Sequence, residues 1–164
     1  MLKFKTTASF KTKEIMKFTE KMTNKLNALL EKNYDAEKGY KKASEKVANE
    51  RLKQFFNEQA QRRYDFGHEL KTEIKNYGES PDKGGSTTGA LHRTWMDIET
   101  AFSSNKEETI LEEVQKGEKA AIEEYNDILG DATLPPTTQK ILAQQRDSIQ
   151  TARQSAKNFE KVVS

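Results

Sequence analysis

The chain has no cysteine, only three prolines and a single tryptophan. Without cysteine there can be no disulfide, no thiolate metal site and no thiol nucleophile. The absence fits a reducing compartment, and the cytoplasm is the expected location. Apolar residues are also scarce, at 34% against 33% charged. A helical bundle accommodates that ratio, because each helix needs one apolar stripe and can solvate its other faces. No stretch approaches the roughly 18 uninterrupted apolar residues of a membrane span. The opening MLKFKTTASFKTK has neither the apolar centre nor the small-residue cleavage site of a secretory signal. Catalytic motifs are missing too: there is no nucleophile–base pair, and Gly84-Gly85 lacks the strand and lysine of a phosphate-binding loop.

The formal net charge is +2, too small to dictate a partner. Its distribution is uneven: Lys3, Lys5, Lys11, Lys13 and Lys17 face only Glu14. Residues 1–12 are therefore expected to form a basic tail, frayed and solvated, offering at most weak contact to nucleic acid or an acidic membrane.

Beyond the tail, helical periodicity dominates. Met22, Leu26, Leu29, Asn33, Ala36, Tyr40, Ala43 and Val47 alternate steps of four and three, predicting a helix over about residues 13–47. Gly39 interrupts it at a cost of about 1 kcal/mol, which suggests a close neighbour. Asn49 can cap a second helix of about residues 50–77, with Leu52, Phe56, Gln59, Arg63, Phe66, Leu70, Ile74 and Tyr77 inward and Gly78 as a left-handed terminus. GESPDKGGSTTG is loop-like, and Leu91, Trp95, Ile98 and Phe102 mark a short helix of about residues 88–102. A third long helix follows over about residues 106–129, stopped by Gly130, and a fourth over about residues 136–162, where Pro136 suits a first turn. Ile110, Leu111, Val114, Glu118, Ala121, Tyr125 and Ile128 face inward from the third. Ile141, Leu142, Gln145, Ile149, Ala152, Ala156, Phe159 and Val162 do so from the fourth. Connections that run short, long, short predict an all-α, ferritin-like four-helix bundle: two antiparallel hairpins joined by a long crossover that contains a short helix. Residues 13–164 form this single domain.

Several inward positions are polar: Asn33, Glu37, Gln59, Arg62 or Arg63, Glu118 and Gln145, near Tyr40 and Tyr125. All fall near mid-helix and are expected to meet at one level. Buried carboxylates need a counter-charge or a metal. A two-metal bundle site needs a Glu from two helices and a Glu-x-x-His from each of the others. The second helix offers Arg62-Arg63 at that place, with Asp65-x-x-His68 off the stripe, and the fourth helix has no His. An arginine–carboxylate lock is therefore the expectation, with no cofactor. The alternative is iron or manganese held by Glu37, Glu118, His92 and Glu69. His92 is expected to hydrogen-bond a helix end beside a docked Trp95 rather than to do chemistry.

The string Gly85-Ser86-x-x-Gly89-Ala90-Leu91-His92-Arg93-x-Trp95-Met96 resembles the signature of a bacterial ferritin-like four-helix-bundle family, a domain of unknown function. Glu37-Lys38-Gly39-Tyr40, Arg62 to Leu70, and Gly117-Glu118 followed by Tyr125 carry the resemblance further, over about residues 20–160. It implies a ferritin-like fold and a stress-related role without an assigned activity. The expected function is thus a non-enzymatic binding or structural protein that self-associates or meets a protein partner. A metal-binding protein with an incomplete carboxylate/His site is the alternative.

Overall fold

A computed structural model describes residues 2–82, 95, 101, 103 and 106–163, with side chains from Ser9 onward. Four long helices account for it: α1 (Leu2–Lys46), α2 (Glu50–Asn76), α3 (Glu107–Leu129) and α4 (Pro136–Val163). They form an all-α four-helix bundle in which α1 pairs with α2 and α3 with α4. Of the expected crossover helix over 88–102, Trp95 and Ala101 are helical, and the remainder lies outside the described residues.

The apolar stripes read from the sequence are the buried faces. Every inward position of α1 from Met22 to Ala43 is buried, as are Val47 just beyond its end and every one of α3 from Ile110 to Ile128. Phe66, Tyr77, Ile141 and Phe159 are half-buried, and Val162 alone among the described inward positions is exposed, at 79%, while Val163 packs against the core in its place. The final turn has rotated the neighbouring residue inward.

Local chemistry sets the helix ends. The Asn49 side chain accepts from the Leu52 amide at 3.1 Å, opening α2 after a connection too short for anything but a hairpin. Gly78 has φ of 80°, and the Gly78 and Glu79 amides donate back to Lys75 and Ile74. Gly78→Ala should cost about 1 kcal/mol through left-handed backbone strain alone, since nothing lies near a Cβ there. Chemical denaturation would measure this. Gly130 ends α3 with ordinary right-handed φ, so that stop needs no glycine conformation.

Within the expected tail, residues 2–12 are instead the start of α1, which is 45 residues long. No glycine or proline occurs between Leu2 and Gly39 to break the helix.

Cross-bundle contacts give the relative directions. On α1 and α3, Lys25 meets Asp131 beyond the end of α3, Lys32 meets Glu124, and Glu107 accepts from the Ala48 and Asn49 amides. α1 and α3 are therefore antiparallel, and by the same test so are α2 and α4, where Phe55 meets Phe159 and Glu73 meets Thr138. α2 and α3 consequently run parallel. The segment between them starts at one end of the bundle and finishes at the other. That requirement explains the long middle connection.

Candidate functional site

The core divides into two apolar clusters. One gathers Tyr40, Val47, Leu52, Phe56, Trp95 and Val114; the other Met22, Leu26, Leu70, Tyr125, Ile128 and Leu142. Between them lies a polar layer to which every long helix contributes. Arg63 of α2 is 2% exposed, and Asn33 of α1 and Glu118 of α3 are at 0%. Arg63 donates one Nη to Asn33 Oδ1 at 2.8 Å and the other to Glu118 Oε1. Asn33 Nδ2 donates to Tyr125 Oη at 2.9 Å and to the Leu29 carbonyl at 2.8 Å. Tyr125 then donates to Gln145 Oε1 on α4 at 2.6 Å. Gln145 ends the chain by donating to the Phe66 carbonyl at 3.4 Å.

The layer's electrostatics follow from burial. Burial pushes the Glu118 carboxyl above its ordinary range, and the Arg63 guanidinium pulls it partly back. Tyr125 is pushed up to about 12 by burial, against the pull of Arg63. Burial, with the Glu118 charge beside it, holds Tyr40 well above the normal phenol range. Both hydroxyls therefore stay protonated at neutral pH. Neither serves as a base or nucleophile there.

Of the expected layer residues, Asn33, Arg63, Glu118 and Gln145 come together, and Gln59 is buried. Two fall elsewhere. Glu37 is half-buried and pairs with Lys41, one helical turn on, at 2.7 Å beside Asn57, Gln61 and Tyr64. Arg62 is exposed and reaches Ser148 Oγ at 3.4 Å, so of this adjacent pair Arg63 is the core arginine. Glu69 is exposed; partial burial and Asp65 raise its carboxyl. His68 is also exposed, set edge-on to Tyr64. His92, Arg93 and Met96 lie outside the described residues.

A divalent ion needs several anionic oxygens and would meet the fixed Arg63 cation in this layer. Its buried donor set, one arginine-bound carboxylate with two amides and two phenols, does not fit a two-metal centre. Among the described residues, Glu108, Glu112 and Glu160 bring carboxylate oxygens within 4.8 Å of one another. That group is at the surface, and Gln115 donates to Glu160.

Trp95 lies against the first apolar cluster, 5% exposed, with its ring between Gly39 of α1 and Gly117 of α3. A Cβ on Gly39 would overlap the indole, and one on Gly117 would come within 3.1 Å of it. The close neighbour that Gly39 implies is therefore the crossover tryptophan. Trp95 also packs on Tyr40 at 5.4 Å between ring centroids. Because Tyr40 follows Gly39 and Glu118 follows Gly117, the docked ring borders the polar layer.

Other polar ties are not visible in the periodicity. Buried Thr138 donates to Glu73 at 2.6 Å and contacts the Tyr77 hydroxyl at 2.7 Å, joining α2 to α4. Lys32, 8% exposed, pairs with Glu124. Asp131 accepts from Lys25 and Thr133, which hold its carboxyl well below the usual range. These residues occupy seams between neighbouring helices, and finding them requires the helices' mutual register.

No curated protein matches the chain. The family model described as a domain of unknown function, DUF2383, matches residues 21–131. That span covers more than half of the chain and takes in α2, α3, Trp95 with both its glycines, and the whole polar layer except Gln145. The chain belongs to the DUF2383 family, a domain of unknown function.

Proposed function

We propose that this is a non-enzymatic, ferritin-like helical protein that acts by binding a partner or by self-association. Its polar layer is a structural lock rather than a metal or catalytic centre. The observation that carries this reading is the fully buried Arg63, whose guanidinium engages Glu118 and Asn33 and supplies the positive charge that a metal would supply in such a bundle. A lock of this kind can set helix register even where it adds little net stability. The stress-related role rests on the resemblance carried by the His92-Arg93-x-Trp95-Met96 block.

Metal analysis of the purified chain and of Glu118→Gln tests the reading. Neither protein should carry stoichiometric iron or manganese, and the variant should differ from the parent in stability alone. Tight stoichiometric metal in the parent that is lost on Glu118→Gln would establish the metal-binding alternative instead.

A further inference from the structure

We propose that the cleft between α1 and α2 beside Glu37 binds a guanidinium group, carried by a small molecule or by an exposed arginine of a protein partner. The cleft has a volume of about 230 Å³ and is lined by Glu37, Lys41, Asn57, Ala60, Gln61 and Tyr64. Pockets that take drug-sized ligands run to roughly 300–1,000 Å³, so this one suits a single head group. Its shape follows from the two helices. Asn57, Gln61 and Tyr64 are spaced by four and three residues along one side of α2, and Glu37 and Lys41 are one turn apart on α1. Buried Ala60 supplies a floor with only a methyl group, which leaves the space between the helices open.

The bonding capacity left in this cleft is mostly of one kind. The Glu37 side chain is 14% exposed, and Lys41 Nζ engages its Oε1 at 2.7 Å. Among the described residues nothing donates to Glu37 Oε2 or to the Asn57 carboxamide oxygen. Gln61 spends its Nε2 on Asp65 at 3.0 Å and keeps its own oxygen. The Tyr64 ring, 47% exposed, adds an aromatic wall. Lys41 is the one cation in the lining; it is 61% exposed, and surface pairs one turn apart contribute little, so it yields to a better-matched cation. A guanidinium is that cation: planar, weakly hydrated, with five donors for dispersed oxygens and a flat face for the ring. An ammonium is compact, strongly hydrated and unable to stack. A divalent metal would find a single carboxylate among neutral oxygens, and an anion would meet Glu37. Glu37 stands outside the polar layer, so this inference is independent of the lock.

Nuclear magnetic resonance titration of the full, nitrogen-15-labelled chain with butylguanidinium tests it. The side-chain amide signals of Asn57 and Gln61 should shift saturably, and butylammonium should bind about threefold more weakly for want of stacking. Glu37→Gln should weaken butylguanidinium binding about 10-fold by removing the charged acceptor. Tyr64→Ala should weaken it about threefold. Lys41→Gln should tighten it about twofold, because the competing cation is gone. Glu37→Gln keeps the side chain's shape and the other two positions are exposed, so circular dichroism should show all three variants folded. An arginine tripeptide blocked at both ends distinguishes the sources. Tighter binding than butylguanidinium assigns the site to a partner's arginine, and equal or weaker binding assigns it to a free guanidino compound. Absence of a saturable shift, affinity unchanged by Glu37→Gln, or an equal response to butylammonium would overturn the proposal. So would weaker binding in Lys41→Gln, which would mark a ligand that needs the lysine as well.

Discussion

Arg63→Met should lower the unfolding free energy by about 3–5 kcal/mol, the usual loss when one partner of a buried ion pair is removed. Glu118 would then lie wholly buried without its cation, and Asn33 Oδ1 would lose its donor. The penalty should depend on pH in a defined direction. Glu118 already titrates above its ordinary range, so its contribution is fully present below the unfolded-state value and lost as pH rises through the folded-state value. Removing Arg63 takes away the influence that pulls the carboxyl back down, which widens that window upward. The variant should therefore suffer most at neutral and alkaline pH and recover toward the parent as the ordinary carboxyl range is approached. Adding Glu118→Leu should restore most of the loss, because an apolar replacement of a buried pair is often neutral or better. A residue of about 1–3 kcal/mol should persist from the unpaired Asn33 oxygen. Urea titrations of the parent, single and double variants at several pH values would measure all of this. Equal midpoints for parent and Arg63→Met would refute the lock.

The second large effect is a change of sign. In an ordinary helix, Gly39→Ala would stabilise by about 1 kcal/mol. Here the new methyl would overlap the Trp95 ring, and overpacking of that kind costs about 1–3 kcal/mol. Gly39→Ala should thus destabilise the parent and shift the emission of the sole tryptophan to the red as the indole is displaced. Trp95→Ala should cost about 3–5 kcal/mol on its own. In the Trp95→Ala background the same Gly39→Ala should become stabilising, because the methyl then enters vacated space. A double-mutant cycle measures that coupling directly. Gly117→Ala should be milder than Gly39→Ala, since its Cβ would crowd the ring without overlapping it.

These two devices differ in how far the sequence announces them. Asn33, Arg63, Glu118 and Gln145 continue the apolar stripes at the three-and-four spacing, so burial follows from position whatever their polarity. Periodicity separates Arg62 from Arg63 by only about 100° of helix rotation, and packing against Asn33 decides between them. Glu37 sits one turn beyond Asn33, but Lys41 is equally one turn beyond Glu37 and draws the carboxylate outward. The Gly39–Trp95–Gly117 stack joins three distant segments. Gly39 hinted at a close neighbour without saying which. Thr138, Glu73, Lys32 and Glu124 depend on the lateral register of whole helices, which no single helix encodes. The N-terminal lysines read as a solvated tail because charge suggests exposure. Exposure does not exclude helix, and α1 continues through them.

The position of Trp95 also bears on how assembly can be followed in time. Its ring touches α1 of one hairpin and α3 of the other, while α1–α2 and α3–α4 can each form from contacts local in sequence. Far-ultraviolet dichroism in a stopped-flow experiment would therefore register helix formation, whereas fluorescence excited selectively at tryptophan would register the docking of Trp95 between the two hairpins. A lag between the two signals would be the lifetime of an unzipped pair of hairpins, read from a single native chromophore without any label.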